Sequence, residues 1–180
     1  LMSKTIAAFG RIDILVNNAA TNPVYSPIEE IDPVIFDKIM EINVKAPWAL
    51  SNLVLPHLQA NKNGSIINIA SVEALTPGYG LGVYSTSKAA ILMLTKNQAK
   101  EWGTYGIKVN AICPGLIKTK FSAALWQNEK MLHKLEKSIP SGRMGNPEEM
   151  VGLACLLASN AGNYMTGGVY TADGGYMIAG

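Results

Sequence analysis

The sequence predicts an α/β domain with a parallel sheet covered by helices on both faces. Three observations carry this. Short apolar runs rich in β-branched residues recur along the chain, as in Ile12–Val16, Ser65–Ala70 and Ile107–Ile112. Longer segments with apolar residues on one helical face lie between them. Turn residues mark nearly every junction. Strands that read as continuous apolar runs, rather than alternating ones, are buried on both faces, which is the habit of parallel sheets. Crossovers between them are expected to be right-handed.

Taken in order, Leu1, Met2, Ile6 and Phe9 share one helical face, and Gly10 stops that helix. Ile12–Val16 is the first strand, and Asn17–Pro27 has loop chemistry with two prolines. Asp32 is an N-cap with Pro33 at the first helical position. The helix runs to about Ala60, in two parts around Pro47 and Pro56. Asn61–Gly64 is a polar turn, Ser65–Ala70 a strand, and Gly78, Gly80 and Gly82 punctuate a loop. A helix fits Val83–Trp102, with Gly103 after its end, and Ile107–Ile112 is the third strand. Pro114–Pro140 is a long mixed stretch with short helices. Asn146 caps a helix opened by Pro147, running to about Ser159, and Gly168–Ala172 is the last strand. No repeat or linker divides residues 1–180, which read as one domain.

Composition narrows the function. A net charge of +2 gives no reason to expect nucleic acid or an anionic membrane as partner. No run reaches the roughly 18 apolar residues of a membrane span. The two cysteines, Cys113 and Cys155, form neither a disulfide framework nor a zinc motif, so no metal is expected and a reducing, cytoplasmic setting fits.

In a parallel α/β sheet, ligands bind beyond the carboxyl ends of the strands. Three strands end in Asn17-Asn18-Ala19-Ala20, in Ser71 and in Cys113-Pro114-Gly115, so these ends should converge on one crevice. Tyr84 and Lys88 stand four residues apart, on one face of the following helix. A free phenol is a poor base at neutral pH, and a nearby ammonium lowers its pKa. Such a pair can pass a proton, with the Ser71 hydroxyl holding the substrate oxygen. Alone, Y-x-x-x-K is a weak motif. In order with N-N-A-A, the strand-end serine, P-G-L-I-K-T and D-G-G, it is not a coincidence.

This constellation resembles the classical short-chain dehydrogenase/reductase family over the whole chain. Asn17–Ala20 is similar to the family's N-N-A-G, with Ala20 where glycine is commoner. Asn43, Ser71, Tyr84 and Lys88 match its catalytic tetrad, and Asp173-Gly174-Gly175 its C-terminal signature. The resemblance implies a Rossmann-like, doubly wound sheet and hydride transfer between NAD or NADP and a carbonyl or secondary alcohol. It implies Tyr84 as acid/base, Lys88 lowering its pKa and holding the nicotinamide ribose, Ser71 orienting the carbonyl, and Asn43 holding a water in a proton relay. Asn17 and Ala19 would lie near the adenosine side. The Pro114–Thr119 segment, with Pro114 and Gly115, would run under the carboxamide, which Ile117 meets through its backbone and Thr119 beside it. Dimers or tetramers through the two long helices and the last strand are implied. A-A-T-N-P, I-N-V-K-A-P and P-G-L-I-K-T-K-F-S are similar to a branch containing an NADP-dependent retinal and dicarbonyl reductase.

The family begins with further strands and a glycine-rich pyrophosphate loop that this sequence lacks, so it reads as a partial domain of a longer protein. NAD and NADP are not distinguished, and a raw apolar edge is expected on the first strand. Other readings stand beside this one: an epimerase or dehydratase relative, and a catalytically inactive remnant that acts through subunit association. His57 and His133 read as surface side chains, since no nucleophile elbow surrounds Ser71. Glu73 either lines the substrate pocket or is a loop carboxylate. Phe121, Leu125, Trp126 and Met131 form a partial lid or pack on the domain, Trp126 being a substrate-side candidate.

Overall fold

The computed structural model describes residues 1–179; Gly180, the last residue of the expected domain, lies outside the described residues. Four strands, β1 (Ile14–Asn17), β2 (Gly64–Ile69), β3 (Ile107–Pro114) and β4 (Val169–Ala172), pair in that order, all parallel. Asn17 lies opposite Asn68, and Asn68 opposite Ala111, so the carboxyl ends of β1, β2 and β3 stand side by side.

Helix α1 (Met2–Phe9) ends at Gly10 in the left-handed region, as its position after the apolar stripe predicts. Asp32 caps α2 (Pro33–Met40), its carboxylate accepting from the Val34 N–H at 2.7 Å. A π-helical turn, Glu41–Lys45, then leads into α3 (Ala46–Asn61). Pro47 has no N–H to return to the Asn43 carbonyl, and the helix widens at that point rather than breaking. Pro56 sits within α3 without ending it.

The long helix α4 spans Gly82–Trp102. Gly103 does not end it in a left-handed cap. It keeps right-handed geometry in a 3-10 turn, Gly103–Tyr105, and the left-handed glycine is Gly106 (φ 75°). The chain needs that extra turn to reach β3. Short helices α5 (Ala123–Trp126) and α6 (Glu129–Lys137) occupy the mixed stretch, and α7 (Val151–Ala158) follows a 3-10 turn at Pro147–Met150.

One core packs α1, α3 and α4 against the sheet through Leu15, Val54, Leu58, Ile66, Ala99, Trp102 and Val109. A second, on the other face, packs Leu157 of α7 on Ile67 and Ile112. The sheet is therefore covered on both faces. β1 pairs with β2 alone among the described residues, and its Ile14 and Val16 stay about half exposed on the α7 side of the sheet. The sequence-based expectation was an exposed edge; the larger exposure is of a face, because α7 lies over β2 and β3 and does not reach β1.

Candidate active site

Tyr84 and Lys88 occupy the first turns of α4, both buried, with their side chains toward the ends of β2 and β3. The Lys88 ammonium donates to the carbonyl of Ile69, the last residue of β2, at 2.8 Å, and lies 5.7 Å from the centre of the Tyr84 ring. Ser71 follows β2 and caps a short 3-10 turn, its Oγ accepting from the Glu73 N–H at 3.1 Å. That bond uses one of its two lone pairs, and the Ser71 proton remains available to another acceptor. The strand-end serine, the tyrosine and the lysine thus meet at one place, as the spacing predicts.

Burial dominates the electrostatics of the pair. Burial pushes the Tyr84 phenol up to about 12; the Ser71 hydroxyl pulls it down and the Glu73 charge pushes it further up. The Lys88 ammonium is pushed down to about 8 by burial, with a smaller opposing effect from Cys113. It donates to the Ile69 carbonyl and stays within reach of the tyrosine ring.

Asn43 is buried in the π-helical turn. Its side chain accepts from the Thr21 N–H at 2.7 Å, donates to the Thr21 carbonyl at 2.9 Å and to Ser87 Oγ at 3.0 Å. Ser87 in turn donates to the Tyr84 carbonyl at 2.6 Å. The asparagine amide thus ties the loop after β1 to the helix that carries Tyr84. It makes no hydrogen bond to Lys88, and both of its amide protons are taken.

Asn17 is buried and turned inward. Its amide donates to Asn68 Oδ1 at 2.8 Å and Ser51 Oγ at 3.3 Å, while Asn68 donates to Thr95 at 2.9 Å. This polar string fastens β1 and β2 to α3 and α4. Ser51, Asn68, Thr95 and Ser87 went unnoticed in the sequence. The available signal was polar residues at otherwise apolar core positions. Ala19, by contrast, is exposed at the mouth of the crevice.

Beyond Pro114, Gly115 donates to the Ala172 carbonyl, and a methyl group there would lie 2.6 Å from Cβ of Asp173. The glycine is set by this close packing. Asp173 accepts from the N–H groups of Gly175 and Met177, both at 2.9 Å, over a turn in which Gly174 (φ 65°) and Gly175 (φ 89°) are left-handed. Leu116 and Lys118 bond to Gly145, whereas the Ile117 N–H has no partner among the described residues. Thr119 exchanges hydrogen bonds with Ser122, and the Trp126 indole donates to the Thr119 carbonyl at 3.0 Å. Trp126 is thus tied back to its own loop, while the mostly exposed Phe121 ring lies 5.9 Å from that of Tyr84.

The Glu73 carboxylate accepts from the Gly78 N–H at 2.6 Å and Ser85 Oγ at 3.0 Å. It braces its loop, as expected of a loop carboxylate, and its charge acts on Tyr84. His57 on α3 and His133 on α6 make no hydrogen bond to Ser71. A cavity of about 250 Å³ lies behind the Ile117–Gly145 contact, lined by Arg143, Glu149, Met150 and Asp173 among others, and excludes Ser71 and Tyr84. The catalytic candidates stand apart from it, at the ends of β2 and β3. No cluster of three metal-binding side chains occurs among the described residues, nor any helix long and apolar enough to cross a membrane.

This geometry fits the nicotinamide end of a dinucleotide. A buried ammonium at Lys88 and the hydroxyls of Ser71 and Tyr84 stand together at the strand ends, and the Ile117 N–H has no partner among the described residues. Chemically, the site offers two O–H donors to one oxygen, a way to stabilise charge developing there.

A family model described as enoyl-(acyl carrier protein) reductase matches residues 1–177. Dehydrogenase/reductase SDR family member 4 of Oryctolagus cuniculus is 39% identical over 97% of this chain and 67% of its own length. Its counterpart in Homo sapiens is 37% identical over 97% of this chain and 63% of its own. The chain thus spans about two thirds of the length of these relatives. A gluconate 5-dehydrogenase from Burkholderia cenocepacia, solved with NADP and tartrate, superposes with a TM-score of 0.95 at 33% identity, covering 99% of this chain and 70% of that one.

Proposed function

The chain belongs to the short-chain dehydrogenase/reductase family, and on that premise we propose that it forms the catalytic part of an NAD(P)-dependent oxidoreductase acting on a carbonyl or secondary alcohol. The single observation that carries this reading is the cluster of half-buried Ser71 with buried Tyr84 and Lys88 at the ends of β2 and β3. When bound, the dinucleotide supplies or accepts the hydride. Everything else falls to residues of the chain. Ser71 and Tyr84 hold the substrate oxygen between two donors. Burial pushes the phenol up to about 12, so it is protonated at neutral pH and equipped to donate to the substrate oxygen. Lys88 would hold the ribose with the protons left after its bond to Ile69. Ile117 N–H, with Thr119 beside it, would take the carboxamide. Ala19 and the backbone at Asn17 would border the adenosine side. Asn43 acts through Thr21 and Ser87 to fix the tyrosine helix.

Exposed Trp48 and Leu53 on α3 and Met93 on α4 support subunit pairing along the long helices. Free cysteines at 113 and 155 support a reducing compartment. The test is Tyr84→Phe in the full-length protein. Turnover should fall at least about 100-fold, with cofactor affinity held within about twofold. Turnover like that of the wild type would refute the assignment.

A further inference from the structure

Glu73 stands where the mechanism above gives it no task. Its backbone N–H fixes Ser71 Oγ, and its side chain bonds Ser85, the residue after Tyr84. The same carboxylate oxygen accepts from the Gly78 N–H. A methyl group at position 78 would lie 2.9 Å from the other oxygen, so the glycine lets the loop close this tightly on the carboxylate. The group is therefore held at one place beside both reacting hydroxyls.

Its charge is not neutralised. The ion pairs among the described residues are Arg11–Asp13, Lys45–Glu41, Lys118–Glu136 and Arg143–Glu149, none of which involves Glu73. Oε1 accepts no hydrogen bond from these residues, so one acceptor remains open. The neighbouring Phe121 ring adds an apolar wall over Tyr84.

We propose that Glu73 sets the charge class of the substrate: carbonyls that are neutral beside the reacting carbon, or carry a hydrogen-bond donor there, are accepted, and those with a carboxylate there are rejected. The inference rests on the hydride-transfer reading of Tyr84. An incoming carboxylate would face a fixed like charge in a partly desolvated crevice, where the cation of the cluster, Lys88, is already bonded to the Ile69 carbonyl and makes no ion pair with Glu73. A hydroxyl or ammonium would find Oε1. That the Glu73 charge reaches the reacting oxygen is supported by its upward push on the Tyr84 phenol, which also faces Ser71 and Lys88.

Two measurements test this. In the full-length protein with saturating dinucleotide, kcat/KM is compared for benzoylformate and its methyl ester. The ester is intrinsically more electrophilic, so the quantity read is the change in the acid-to-ester ratio between proteins. Glu73→Gln should raise that ratio roughly tenfold, while Glu73→Asp, which keeps the charge, should restore the wild-type ratio. A ratio unmoved by Glu73→Gln overturns the inference. The second measurement needs no turnover. Alkaline absorbance titration follows phenolate formation, with Tyr84→Phe assigning the Tyr84 transition. Glu73→Gln should move that transition to lower pH. An unmoved transition overturns the inference by itself. A protein that reduces neither compound but shows the shift counts against the hydride-transfer reading and leaves the placement of the Glu73 charge supported.

Discussion

Replacing Lys88 with methionine should make the chain more stable at neutral pH while removing a group the chemistry needs. Lys88 is 3% exposed, and its ammonium has one hydrogen bond, to the Ile69 carbonyl. Burial lowers its pKa from 10.5 to about 8. The folded value is depressed, so the contribution to stability is favourable at high pH and is lost as pH falls through about 8. At pH 7 the difference corresponds to about 3 kcal/mol against the folded state, and at pH 9.5 to about 1.5 kcal/mol. Methionine keeps most of the apolar stem but leaves the Ile69 carbonyl without its donor, at about 1–2 kcal/mol. Lys88→Met should therefore gain about 1–2 kcal/mol at pH 7 and close to nothing at pH 9.5. Urea unfolding followed by tryptophan fluorescence at the two pH values reads this directly. A variant less stable than wild type at pH 7, or a difference independent of pH, would refute the argument that the lysine is held there at a cost to stability.

Two further outcomes follow from single contacts. Asn43→Ala strips both Thr21 backbone groups and Ser87 of their partner, and should cost about 3 kcal/mol; hydrogen exchange at the Thr21 amide should accelerate, and unchanged protection there would show that the tie is not holding the loop. Gly115→Ala places a methyl group 2.6 Å from Cβ and 2.7 Å from Cα of Asp173. A main-chain neighbour cannot rotate away, so thermal melting should report a loss of about 1–3 kcal/mol, and a neutral result would mean that the D-G-G turn is free to move.

Parallel strands on adjacent hairpin-free connections need helices between them, and both the strands and the helices announced themselves through local patterns. Asp32-Pro33 marked a helix start by capping chemistry, and Gly10 an end by its lack of a side chain. The Tyr84–Lys88 spacing placed two groups on one helical face, and strand ends in a parallel sheet have one place to meet. Those features depend on residues within a few positions of each other, or on a general rule of sheet topology, so the sequence by itself determined them.

The tertiary structure decided the rest, because the remaining properties depend on groups far apart in the chain. Whether Tyr84 is a strong or a weak acid depends on how much water reaches it and on where the Lys88 ammonium points. Helical spacing brought the lysine to the phenol's side, but it could not tell that burial would push the phenol up and the ammonium down. Asn43 joins Thr21 and Ser87, Asn17 joins Ser51 and Asn68, and Glu73 joins Gly78 and Ser85. Each amide or carboxylate could have faced water until the packing supplied its partner. Hydrogen bonds are directional and desolvation is collective, so the acid strength, the polar tie and the charge at the crevice belong to the fold.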